Sequence, residues 1–170
     1  MSAAVFDYLI PITFIIGLFV CWKDINARFT ISCFLIPTTI STMTLSWAMS
    51  MPVGFYIWSI VTSGIFLCFV FSRRYLAYKF KQIPFFEDAY KQHTYSLQEA
   101  VLILISLVCI FNNTIALVEV CLYLNYWIDN AYYKLYVRDN LQRIMIIMSA
   151  VVGFSYAIKK AYYISHLQKS

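Results

Sequence analysis

The chain has 170 residues, of which 62% are hydrophobic and only 12% charged, with a formal net charge of +5. Soluble domains carry roughly 45–50% apolar and 25% charged residues, so this composition excludes the ordinary soluble balance and points to a lipid-facing chain. Several membrane spans consume this length, so no separate soluble domain is expected beside them.

The first apolar stretch, Val5–Trp22, is short and carries Pro11. Met1–Asp7 lacks the basic start of a signal peptide, so this stretch is expected to be retained as a span. Next comes a run of 44 residues, Phe29–Ser72, without one Lys, Arg, Asp, Glu or His. As one helix it would be about 66 Å long, roughly twice the hydrocarbon thickness of a bilayer. It must fold back, and Ser50-Met51-Pro52 marks the place, because proline opens helices well and interrupts them badly. The expected spans are therefore Phe29–Met49 and Pro52–Phe71. Ser96-Leu97-Gln98-Glu99 is a capping box that opens the fourth span, Leu97–Tyr126. The fifth, Asn140–Tyr163, holds 15 uncharged residues, Ile144–Ile158, between Arg143 and Lys159, whose long side chains can snorkel to the interfaces. The expected fold is thus a single all-α, polytopic transmembrane helix bundle, residues 1–170, of about five spans. Four remain an alternative if the first or the last does not cross.

Loop charges orient it. With the N-terminus outside, the cytoplasmic side holds Lys23, Arg28, Arg73, Arg74, Lys79, Lys81, Lys91, Lys159, Lys160 and Lys169, and the outer side only Lys134, Arg138 and Arg143. Ten cations against three place the C-terminus in the cytoplasm. Tyr123, Tyr126 and Trp127 at one end of the fourth span, and Trp22 on the first, read as interfacial aromatics.

Polar groups inside a span need internal partners. The second span is rich in hydroxyls, and Ser32, Thr39, Thr42 and Ser46 are spaced to share one helical face. Beside them, Pro37 frees a backbone carbonyl. Such a stripe either glues helices together or lines a narrow polar path. On the fourth span Asn112, Asn113 and Glu119 form the second polar set, with Asn112 and Glu119 seven residues apart on one face. An intramembrane carboxylate is a functional candidate by default; the alternative is a hydrogen-bonded structural Glu near the headgroups. Asp7 is its nearest acidic companion by depth. Ser149, Gly153, Ala157 and Ala161 make a small-residue ladder on the fifth span, with a shorter one at Ser59 and Ser63, faces suited to close helix packing or homo-oligomerisation.

The loop 72–96 mixes Arg73, Arg74, Lys79, Lys81 and Lys91 with seven aromatic residues. It suits lipid headgroups or a cytosolic protein partner, with direct nucleic-acid contact disfavoured. The five cysteines form no CxxC pair and His93 and His166 are isolated, so neither a metal site nor a cofactor is expected.

The expectation is a non-enzymatic inner-membrane subunit: a homo-oligomeric sensor, anchor or pore coupled to a cytosolic partner through loop 72–96. A bacterial defence or toxin-type system is one context for such a chain. The alternative is a small transporter or channel protomer moving an ion or solute past Glu119 and Asn112. An intramembrane enzyme is the third reading, and no nucleophile–base constellation favours it.

Overall fold

The computed structural model describes residues 3–91 and 94–167, with side chains described over 10–91, 94–156 and at 158. Eight α-helices follow in chain order: α1 (Ala3–Val20), α2 (Ile25–Met43), α3 (Leu45–Met49), α4 (Gly54–Phe71), α5 (Arg73–Lys79), α6 (Pro84–Lys91), α7 (Leu97–Leu124) and α8 (Asp139–Leu167). A π-helical turn, Tyr133–Arg138, leads into α8. No strand occurs among the described residues.

The helix starts follow local chemistry. Asp24 sits in extended conformation before α2 and accepts the Ala27 amide at 3.1 Å. Ser96 does the same for α7, accepting from the Glu99 amide at 3.2 Å. Pro84 occupies the first position of α6, where its missing N–H costs nothing.

Two departures from the expected boundaries have clear causes. The first limb of the uncharged run is not one helix to Met49. It stops at Thr44, whose hydroxyl donates to the Ile40 carbonyl at 2.7 Å and accepts the Trp58 indole N–H at 2.7 Å. This back-bond competes with the helix ladder and separates α3 from α2. At the other end, α7 closes at Leu124 rather than Tyr126. The Tyr126 N–H bonds Tyr123 O, the Trp127 N–H bonds Leu122 O, and Tyr126 takes a left-handed φ of 59°, which together form a Schellman cap.

The five long helices close a ring: α1 packs on α2, α2 on α4, α4 on α7, α7 on α8, and α8 back on α1. Phe14, Phe34, Phe66, Leu102, Ile105 and Val152 form the main core between them. The α1–α8 seam is close because Gly153 has no side chain: a Cβ there would sit 3.1 Å from Thr13 Oγ1 and 3.4 Å from Phe14. Outside the ring, α5 and α6 pack together and α6 lies on α2, with Ala77, Ala89, Phe85 and Phe86 against Phe29 and Cys33.

By length and composition, two helices among the described residues can cross a membrane, α4 and α7. The expectation of five such helices is not supported among the described residues. In α1 the described apolar stretch is Ile10–Val20. α2 carries Asn26 and Arg28 beside its Ser and Thr hydroxyls, and α8 opens with Asp139, Asn140, Gln142 and Arg143.

Candidate functional site: two buried polar clusters and the cavity between them

The first cluster lies where α4 ends and α2 and α7 begin. Arg73 and Glu99, each only 1% exposed, are joined at 3.2 Å, with the guanidinium bonding both carboxylate oxygens. The same guanidinium donates to Thr30 Oγ1 at 3.4 Å and to Asn26 Oδ1, and lies 4.9 Å from the Phe29 ring centroid. Asn26 in turn donates to Thr94 Oγ1 at 3.0 Å, tying in the segment before α7. Arg73 Nε is buried without a hydrogen-bond partner among the described residues. The capping-box reading of Glu99 is thus half met. Ser96 caps as expected, but the Glu99 carboxylate turns inward to Arg73. Arg73 itself, expected at a headgroup or partner surface, is the largest fully buried side chain among the described residues. A buried unpaired carboxylate costs far more than an uncapped amide, so the ion pair wins.

The second cluster lies at the opposite ends of α4 and α7. Glu119 accepts the backbone amides of Tyr133 and Lys134, both at 2.7 Å, and so sits at the N-terminus of the π-helical turn. The Tyr133 hydroxyl donates to Asn112 Oδ1 at 2.7 Å, and the Asn112 amide donates to the Arg138 carbonyl at 3.3 Å. Arg138 donates to Asn113 Oδ1 at 3.3 Å and to Asp139 at 2.6 Å, with its guanidinium 4.5 Å from the Phe55 ring centroid. Asn112 and Asn113 are buried at 2% and 0% exposure. Their polarity is spent on holding the π-helical turn against α7.

Between the clusters, every long helix contributes to one cavity of about 140 Å³. Its wall carries Thr38 and Ser41 from α2, Thr62 from α4, Ser106 from α7, and Gln142 and Ser149 from α8, with Ile10 from α1 and Phe34 and Phe66 as apolar wall. Ser106 and Ser149 are 5% and 2% exposed.

The residues singled out by sequence fall into three groups. Asn112, Asn113 and Glu119 come together in the second cluster; Asp7 lies outside the described side chains. On α2 the hydroxyl face turned to the cavity is Thr38 and Ser41, while Ser32, Thr39 and Thr42 are half-buried beside it. Ser46 is exposed on α3, beyond the break, and shares no face with Ser32. Ser59, Ser63 and Ser149 line the cavity, whereas Gly153 packs on α1 within the chain and leaves that part of the ladder occupied. Ala157, Ala161, His93 and His166 lie outside the described side chains.

In the loop, Arg74, Lys79, Lys81 and Lys91 are exposed as expected of surface cations. Arg74 lies 6.0 Å from the Tyr90 ring centroid and Lys81 5.3 Å from that of Tyr78, while Lys91 bonds Glu87 at 2.6 Å. Sequence reasoning did not single out Arg138, Tyr133, Gln142 or Ser106. Arg138 and Gln142 stand four residues apart at the start of the last span and so share a face. That spacing was the available signal.

No family model, curated protein or solved structure matches the chain.

Proposed function

We propose that the chain is an integral membrane protein, its ring of five helices embedded in a plasma membrane of bacterial type with the N-terminus outside. In this reading it is a small non-enzymatic channel or carrier protomer. One observation carries the solute-handling part: the polar cavity is walled by all five long helices, as expected of a path enclosed by a bundle. Membrane residence is supported by an inverted distribution of polarity. Phe19, Ile36, Met43, Phe111, Val151 and Ile158 are largely exposed, while Arg73, Glu99, Asn112 and Asn113 are buried. Water penalises that arrangement and a bilayer rewards it. The other three long helices, α1, α2 and α8, are also ring members, and polar groups of α2 and α8 face inward at Thr38, Ser41, Gln142 and Ser149.

The test is topological. Lys79→Cys and Asp129→Cys, each in a background with the native cysteines changed to Ser or Ala, are treated with a membrane-impermeant thiol reagent. Asp129→Cys is labelled in intact cells and Lys79→Cys only after lysis. Release of the protein by carbonate washing, or equal labelling of both, refutes the reading.

A second reading has its own observation. The α5–α6 hairpin locks its inner face onto α2 and presents Arg74, Lys79 and Lys81 beside exposed Tyr75, Tyr78 and Phe80. A sensor or anchor would meet headgroups or a cytosolic protein there. Changing the three cations to Gln and comparing captured proteins with wild type tests it, and unchanged capture rejects the protein-partner form.

A further inference from the structure

We infer that the central cavity is a binding site for one small neutral solute rich in hydroxyl or amide groups, of the glycerol or urea class. This rests on the channel-or-carrier reading for its route of entry, and on the cavity wall for its chemistry.

Size comes first. A volume of about 140 Å³ is close to the roughly 150 Å³ of an engineered protein cavity that accepts benzene, so four to six heavy atoms are accommodated. Charge comes second. Every polar group on the wall is a hydroxyl, a thiol or an amide, with no carboxylate or ammonium among them. With no carboxylate on the wall a cation finds no counter-charge, and Arg138, four residues before Gln142, is already paired with Asp139 at 2.6 Å. No guanidinium or ammonium on the wall is available to neutralise a bare anion.

The hydrogen-bonding pattern is the third line, and the most specific. The Thr38 hydroxyl donates to the Phe34 carbonyl at 2.7 Å and the Thr62 hydroxyl to the Trp58 carbonyl at 3.0 Å, so both oxygens offer only lone pairs inward. The Gln142 side-chain oxygen takes the Cys109 thiol at 3.7 Å, which leaves its amide nitrogen as a donor. Ser106 and Ser149, at least nine-tenths buried on the wall, have no protein partner among the described residues. A buried hydroxyl is ordinarily satisfied, so these two expect a partner from inside the cavity. A polyol or a urea both donates and accepts, and its carbon skeleton fits against Phe34 and Phe66. An apolar guest would leave the serines unmet.

The experiment uses the full chain in vesicles of phosphatidylethanolamine and phosphatidylglycerol, with glycerol, urea, mannitol, potassium and chloride as separate probes. Glycerol and urea equilibrate faster than in empty vesicles, and mannitol, about twice the size of the site, does not. Thr62→Val keeps the shape and removes one acceptor, so it lowers glycerol passage by about fivefold, the equivalent of one hydrogen bond. Ser149→Leu fills the cavity and removes the gain. Thr62→Val keeps the proposal falsifiable if that bulkier variant misfolds, with elution volume and helicity as folding controls. Passage of potassium or chloride without glycerol or urea overturns the solute assignment and leaves the channel reading standing. Passage of no probe overturns both.

Discussion

The two ends of the bundle hold buried polarity in opposite ways. At the Arg73–Glu99 end a full charge meets a full charge, and three sequence-distant segments, Asn26–Thr30, Arg73 and Ser96–Glu99, converge on it. At the Glu119 end a carboxylate meets two backbone amides of a short π-helical turn, and Arg138 of the same turn rests on Asn113, Asp139 and the faces of Phe55 and Tyr56. Separating the first pair strands two ions in a low-dielectric interior. Loosening the second exposes a partly solvated carboxylate and a turn. The first end is built as a fixed lock, and any opening of the cavity is easier at the second.

The largest expected effect breaks the lock. Glu99→Leu leaves Arg73 buried and uncompensated and destabilises the protein by about 3–5 kcal/mol. Arg73→Met together with Glu99→Leu recovers most of that loss, because the apolar pair leaves no stranded charge. Thermal unfolding in detergent, followed by helicity, checks both. A double variant as unstable as the single one shows that the pair itself is needed rather than merely balanced.

At the other end the expected loss is smaller. Glu119→Gln keeps one acceptor, removes the charge facing the start of the turn, and costs about 1–2 kcal/mol. Proteolysis within Tyr133–Arg138 should rise before the rest of the bundle responds. A loss equal to that of Glu99→Leu erases the contrast between the two ends. If glycerol flux vanishes while stability holds, Glu119 belongs to the solute path after all.

How much of this was legible in the sequence depends on range. Signals confined to a few residues could be read directly: Ser96 capping α7 and the reversal between Met49 and Gly54. The partner of Arg73 could not. Its neighbours Arg74, Tyr75 and Tyr78 are exposed, and the pattern around it is that of a surface loop. Its burial follows from Glu99 arriving from 26 residues away. Which hydroxyls of α2 line the cavity was hidden for a related reason. The helix carries Ser or Thr on more than one face, and only the positions of α4, α7 and α8 decide that Thr38 and Ser41 turn inward. Glu119 stands out in the sequence as a carboxylate in an apolar helix, but its partners are backbone amides, which no residue type announces.

Tyr126 sharpens the comparison from the side of strain. It holds a left-handed φ of 59° at the Schellman cap of α7, a region that costs a non-glycine residue about 1–2 kcal/mol. With its side chain 96% exposed, little packing is lost on removal. Tyr126→Gly therefore stabilises the second end by about 1 kcal/mol, net of the added chain entropy. An unchanged or lower midpoint means that the ring anchors the cap at the interface and offsets its own strain.

The smallest effect lies on the hairpin outside the lock. The Lys91 ammonium, hydrogen-bonded to Glu87, holds the Glu87 carboxyl below its ordinary 4.5, while Glu87 holds Lys91 above its ordinary 10.5. The depressed carboxyl contributes stability above its ordinary range that is lost as pH falls through the shifted value. The raised ammonium contributes below its ordinary range and loses it as pH rises. The pair therefore supports α6 across neutral pH and fails at both extremes, although its full exposure and screening keep the support slight. Backbone chemical shifts of Ala89 should drift toward coil below the carboxylate range in wild type, and Glu87→Gln should flatten that drift.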